Sequence, residues 1–223
     1  MPPSSSALRS LVFAAAFLLL VSVAGPARAM PLADLLLPGV VLDSGSLRFS
    51  NFAYAQSGDM AAAADIVVIG IVLGGDDGIA ITGSLKDSAG NTAPSAASIS
   101  YKVSVVGGPP PLQITGVKIE ADFSVTEPGY ANLNASVLNT SIDLIQLFAH
   151  NFGGGTTETN SGQKSLTPSS ELNVVMENID AFAQMGTAEI SEIRQAFTVV
   201  PEPGSAILLA LGLCGLAIAG RRI

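Results

Sequence analysis

Few residues in this 223-residue chain have types and spacing that chemistry could use, and the strongest group lies near its C-terminal end. Pro201-Glu202-Pro203 is followed by an apolar run, Ala206–Gly220, and then by Arg221-Arg222. The chemistry this order invites is done to the chain: peptide cleavage at a membrane face. Pro201 and Pro203 lack amide donors and disfavour helix in Val200 and Glu202 before them, so the triplet stays extended and open to a processing enzyme. As a helix the apolar run is about 22 Å long at ~1.5 Å per residue. That falls short of a ~30 Å hydrocarbon core and suits transient membrane anchoring through 206–220. Arg221 and Arg222 hold the far end on the cytoplasmic side. A second processing site is expected at the other end, where Arg9 precedes the apolar stretch Leu11–Val23 and Ala27-Arg28-Ala29. The small residues Ala27 and Ala29 mark a signal-peptide cleavage site, with Met30 the first mature residue.

The interior offers weaker candidates. Val68–Gly78 (VIGIVLGGDDG) is rich in glycine, but a phosphate cradle needs those glycines to open a helix. A strand pattern follows instead, and Asp76 and Asp77 repel phosphate, so the segment reads as a hairpin turn. Asp76 and Asp77 are also weak candidates for calcium, which takes hard oxygen ligands. Two adjacent carboxylates are too few alone, and the expectation is a solvated turn with no bound metal. His150 is the only histidine and Cys214, within the apolar tail, the only cysteine. Zinc sites built from His and Cys are therefore excluded, and the mature chain has no thiol or disulfide. No Gly-x-Ser-x-Gly elbow gives His150 a nucleophile to activate, and it reads as a strand-end residue. A carboxylate pair for glycoside hydrolysis could converge only in space. Platforms for sugars are sparse: there is no tryptophan, and the tyrosines are Tyr54, Tyr101 and Tyr130. No cofactor and no catalytic residue is expected.

The Pro-Glu-Pro triplet, the Leu/Ala/Gly/Ile run and the basic end, paired with a signal peptide, resemble the PEP-CTERM sorting signal recognised by exosortases. The resemblance implies that an exosortase-type enzyme removes the tail near Pro201, Glu202 and Pro203. The chain is then released or transferred to the cell surface, after passing through an inner-membrane intermediate. The departure from the pattern is small: two arginines only, followed by Ile223.

From Met30 to Pro203 lie six basic residues (Arg48, Lys86, Lys102, Lys118, Lys164, Arg194) and all 18 acidic ones. So acidic a domain does not hold nucleic acid or an anionic membrane by electrostatics. The expected organisation is a signal peptide over 1–29, an exported domain over 30–199 and the sorting segment over 200–223. A span of this length supports a core of its own.

Strands are expected at Leu47–Tyr54, Asp65–Leu73, Ile79–Leu85, Ala97–Val106, Leu112–Val125, Ala131–Leu138, Asp143–His150, Glu171–Ile179 and Glu189–Val199. In Ala97–Val106, Ile99, Tyr101, Val103 and Val105 alternate with Ser98, Ser100, Lys102 and Ser104. In Leu112–Val125, Val117, Ile119, Ala121 and Phe123 oppose Ile114, Lys118, Glu120 and Asp122. Such alternation belongs to antiparallel sheets with one wet face. Gly74–Gly78 joins two strands as a hairpin, and Gly153–Ser170 reads as a long polar loop. Met176–Met185 is ambiguous. The fold class is all-β: an antiparallel β-sandwich or jelly-roll-like domain.

Leu47-Arg48-Phe49-Ser50-Asn51-Phe52, Ala97–Val106 and Ser191–Phe197 resemble strands of domains found ahead of PEP-CTERM tails. That resemblance implies a fold and no catalytic residue. Three functions stay open: an exported surface or extracellular-matrix protein without catalysis, a polysaccharide-binding β-sandwich module, and a secreted hydrolase. Exopolysaccharide is the expected non-enzymatic partner.

Overall fold

The computed structural model describes residues 28–90, 93–107, 111–126, 128–138, 142–151, 155–202 and 204. Twelve strands dominate them: β1 (Ala29–Pro31), β2 (Val41–Ser44), β3 (Leu47–Ser57), β4 (Val67–Leu73), β5 (Asp76–Ser88), β6 (Ser95–Val105), β7 (Leu112–Val125), β8 (Gly129–Leu138), β9 (Ile142–Asn151), β10 (Thr156–Ser169), β11 (Glu171–Ala183) and β12 (Thr187–Pro201). One short helix, α1 (Leu32–Leu35), follows β1. The strands form two six-stranded sheets, ordered β1-β4-β5-β12-β7-β10 and β2-β3-β6-β11-β8-β9. All pairings are antiparallel. The result is the expected β-sandwich.

The core lies between the sheets because alternating strands turn one apolar row inward. From β7 it takes Val117, Ile119, Ala121, Phe123 and Val125; from β6, Ile99, Tyr101 and Val103; from β12, Ile190, Ile193 and Phe197. Period two fails at defined places, and each has a bulge. Phe49 and Phe52 are both buried although three residues apart. The register shifts between Ser50 and Ala53, where Asn51 takes a left-handed φ of 55°. Asn is among the few non-glycine residues that visit this region readily, and the extra residue lets both rings reach the core. They lie 5.7 Å and 5.2 Å from the ring of Tyr101. A second shift, opposite Thr198 and Val199, moves Ile114 off the polar row and into the core.

Both open sides of the sandwich are tied. On one, the Ser44 hydroxyl donates to the Ile71 carbonyl at 3.3 Å. On the other, Asn160 Nδ2 of β10 donates to the Phe148 carbonyl of β9 at 2.8 Å. Gly162 passes so near β9 that a Cβ there would lie 2.5 Å from Ile145. Buried polar groups are few. Asp87 is fully buried, accepts from Ser95 Oγ at 2.6 Å and from the Ala183 amide at 2.9 Å, and so pins β5, β6 and β11 together. Gln195 of β12 accepts a short hydrogen bond from the Tyr101 hydroxyl across the core.

Two expectations need correction. Gly153–Ser170 is not a loop along its length, since Thr156–Ser169 is β10, paired with β7. Its side chains alternate between exposed and half-buried, and only Leu166 is buried. Backbone pairing, not burial, makes it a strand. Met176–Met185, left ambiguous by its pattern, is strand as far as Ala183, the end of β11, and a shift between Met176 and Ile179 interrupts the alternation.

Candidate functional site

The Pro-Glu-Pro segment grows directly out of the sandwich. Strand β12, flanked by β5 and β7, runs to Pro201, which pairs with Leu112. It thus continues two residues into the segment assigned to the tail. Beyond it the Glu202 amide donates to the Pro111 carbonyl at 2.9 Å, and Gln113 Nε2 donates to its carboxylate at 3.0 Å. Pro203, the apolar run 206–220, Arg221 and Arg222 lie outside the described residues, as does Ala27. Among the described residues no helix is long and apolar enough to cross a membrane. Where the sequence leads one to expect signal cleavage, Ala29 begins β1, opposite Ile69, and the Arg28 carbonyl accepts from the Gly70 amide at 3.3 Å. Because β1, β4, β5 and β12 are successively antiparallel, the chain enters β1 and leaves β12 toward the same end of the sheet.

Asp76 and Asp77 are not a merely solvated turn. The turn itself is Gly74-Gly75, both with positive φ, and Leu73 pairs with Asp76 across it. A two-residue turn with positive φ at both positions matches the twist of the flanking strands. Asp77 Oδ2 accepts from the Ser46 amide at 2.8 Å and from the Ser46 hydroxyl at 2.9 Å. It thereby ties the β4–β5 hairpin to the β2–β3 turn of the other sheet. Gly45 of that turn has φ 56°, and a Cβ there would come within 2.1 Å of the carboxylate. Asp76 accepts from the Thr198 hydroxyl at 3.1 Å. Among the described residues, no group of three or more His, Cys, Asp or Glu forms a metal cluster. His150 lies in β9 opposite Tyr130; its side chain is outside the described set.

The two outward faces differ in character. On the β12/β7 face, Arg194 meets Asp122 at 2.8 Å, Glu192 at 3.4 Å and Glu120 at 3.5 Å, while Lys118 meets Glu120 at 2.7 Å. The carboxylates are held by cations rather than set opposite one another across a cleft. The neighbouring groove, about 380 Å³, is lined by Thr115, Gly116, Val117, Gln163, Lys164, Ser165 and Thr198.

On the face of the other sheet, one register row crosses five strands: Ser57, Ala96, Asp180, Asn132 and Phe148. The small side chains of Ala55, Ser57, Ala96 and Ser98 leave an open groove of about 480 Å³, with Asp180 on its lining. Beside Asp180 stands an aromatic ridge. The Tyr130 ring lies 6.4 Å from Phe148, nearly parallel at 23°, and 5.9 Å from Phe182. Phe148 is 52% exposed. Burial raises the pKa of Tyr130, with a further push from the charges of Asp180 and Asp87. Burial likewise raises that of Asp180. Counting tyrosines and tryptophans along the chain misses this ridge. Its members come from β8, β9 and β11, and only the strand order unites them.

No match is found among curated proteins. Among solved structures the chain is similar to TmCBM61 in complex with β-1,4-galactotriose, at 10% identity over 69% of this chain and 90% of that one, with a TM-score of 0.31. It is similar to the Arthrobacter globiformis T6 isomaltodextranase complexed with panose, at 12% identity over 76% of this chain and 23% of that one, TM-score 0.31. It is also similar to a family 16 carbohydrate-binding module, at 15% identity over 60% and 84%, TM-score 0.22. The family model of the PEP-CTERM protein-sorting motif matches residues 199–223. The segment into which β12 runs is that motif, and the chain is a PEP-CTERM protein.

Proposed function

We propose that this protein is exported, trimmed at both ends by membrane-associated processing, and delivered to the cell surface or extracellular matrix in a non-catalytic structural or interaction role. The observation that carries the reading is the sorting motif at 199–223. In it, Pro201, Glu202 and Pro203 mark the site of processing by an exosortase-type enzyme, with Arg221 and Arg222 on the cytoplasmic side. Ala27 and Ala29 mark signal cleavage, and 30–199 is the delivered domain. The sandwich geometry supports this arrangement. The chain enters β1 and leaves β12 at the same end of one sheet, which suits two signals that act at a single membrane face. The groove offers one carboxylate among its described lining residues, Asp180, where glycoside hydrolysis takes two.

The test is mass spectrometry of the surface form in the native host. It should begin at or near Met30 and yield no peptide from 206–223. An intact C-terminus at the surface would overturn the sorting reading.

A second reading, contact with extracellular polysaccharide, is favoured by the aromatic ridge beside the groove, where Phe148 is exposed. Retention of the protein by the host's own exopolysaccharide tests it.

A further inference from the structure

We propose that the outward face of the β2-β3-β6-β11-β8-β9 sheet is a binding site for an uncharged, linear glycan. This deepens the polysaccharide reading and rests on it. Adjacent strands lie ~4.8 Å apart, so the row from Ser57 to Phe148 runs about 19 Å across the sheet. That is the length of a short oligosaccharide segment rather than of a single sugar. The row changes character along its course in a way that suits a sugar chain. At the β3/β6 side, Ala55, Ser57, Ala96 and Ser98 are small, and their groove has room for pyranose rings. At the β8/β9 side, Phe148, half-exposed beside Tyr130, supplies aromatic surface against which the C–H face of a pyranose packs. Between them Asp180 and Asn132, opposite each other in register, supply carboxylate and amide groups to hydroxyls. A few polar groups fixing the orientation of a mostly apolar contact is the usual composition of such sites.

Charge decides the ligand class. The described cations on this sheet are Arg48 and Lys102. Arg48 is engaged by Asp43 at 2.8 Å and Lys102 by Glu171 at 2.7 Å. The groove itself presents the carboxyl group of Asp180. A polyanionic glycan finds no spare positive charge here and meets a negative group, whereas a neutral one needs only ring faces and hydroxyl partners.

The test is affinity electrophoresis of the full chain in a polyoxyethylene detergent, with gels containing hydroxyethyl cellulose, galactan or alginate. Retardation by at least one of the two neutral glycans, and none by alginate, is the expected result. Phe148→Ala should weaken retention roughly three- to tenfold, the size of one lost ring contact, and Phe148→Trp should preserve it. Phe148 is half-exposed, so its replacement should leave the melting temperature in place, which separates a lost contact from a lost fold. Wild-type retention that Phe148→Ala leaves unchanged would overturn this face while the polysaccharide reading stands. Absence of retention on both neutral glycans, or equal retention by alginate, would overturn the proposal. Tail removal is read separately by mass spectrometry, so sorting stands or falls on its own.

Discussion

The core hydrogen bond between Tyr101 and Gln195 makes the sharpest test of how this sandwich is held together. Tyr101 is buried and its hydroxyl donates to Gln195 Oε1. Gln195 Nε2 is itself buried with no partner among the described residues. Removing the hydroxyl (Tyr101→Phe) orphans the Gln195 carbonyl as well, and a buried polar group left unpaired costs about 1–3 kcal/mol. For a domain of this size each kcal/mol shifts the midpoint by about 2–4 °C, so the expected fall in Tm is about 2–12 °C. Gln195→Met orphans the Tyr101 hydroxyl but removes the unpaired amide, and should cost less. The double variant Tyr101→Phe/Gln195→Met leaves neither partner unpaired at nearly constant volume. It should match the wild type or exceed it, because replacing both members of a buried pair by apolar groups of the same shape is close to neutral. Urea unfolding of a 30–203 fragment gives all four free energies and hence the coupling. A double variant less stable than either single one would refute the reasoning, since the pair would then contribute more than the desolvation it relieves.

Two further outcomes follow from the same physics. Burial pushes Tyr54 up to about 12, Tyr101 well above its ordinary value, and Tyr130 upward. Their neutral forms are favoured by folding, so this contribution is fully present below pH ~10, the unfolded value, and is lost as pH rises through the folded values; absorbance at 295 nm should show Tyr54 and Tyr101 silent near pH 10 until the protein unfolds. Asp77→Ala should cost about 1.5–3 kcal/mol, the range for hydrogen bonds to a charged group, by releasing the Ser46 amide and hydroxyl, whereas EDTA should leave Tm unchanged; a fall of many degrees in EDTA would instead reveal a metal at this hairpin.

Much of the fold was legible wherever burial imposes alternation. Strand β7 occupies the span its pattern marks, and β6 buries the row its pattern assigns. Legibility failed where pairing does not depend on burial. In β10 hardly any side chain enters the core, so Thr, Ser and Gly leave no apolar period to read, and only the ladder to β7 reveals a strand. It failed again at bulges: the shift in β11 blurs the Met176–Met185 pattern, and the one opposite Thr198 moves Ile114 to the inner face. For the candidate site, the processing motif is contiguous and therefore readable. The aromatic ridge is assembled from Tyr130, Phe148 and Phe182 by the order β11-β8-β9, which local sequence does not encode. Asp77 was visible as a turn-flanking acid, but its partner Ser46 lies 31 positions away in another turn.

The placement of β12 has a mechanical consequence. The sorting segment continues an interior strand of fifteen residues, bonded on one side to β5 and on the other to β7. On the proposed reading, in which the tail is held at a membrane until it is cut, drag on the domain is transmitted along the axis of that strand. Both ladders are then loaded in shear, with many hydrogen bonds sharing the force at once, and cannot be peeled apart one rung at a time. An attachment through an edge hairpin would unzip at far lower tension. Such a pull would fall on one of the strands best able to resist being drawn out, and the proposed sorting would leave the sandwich folded under load until the tail is cut.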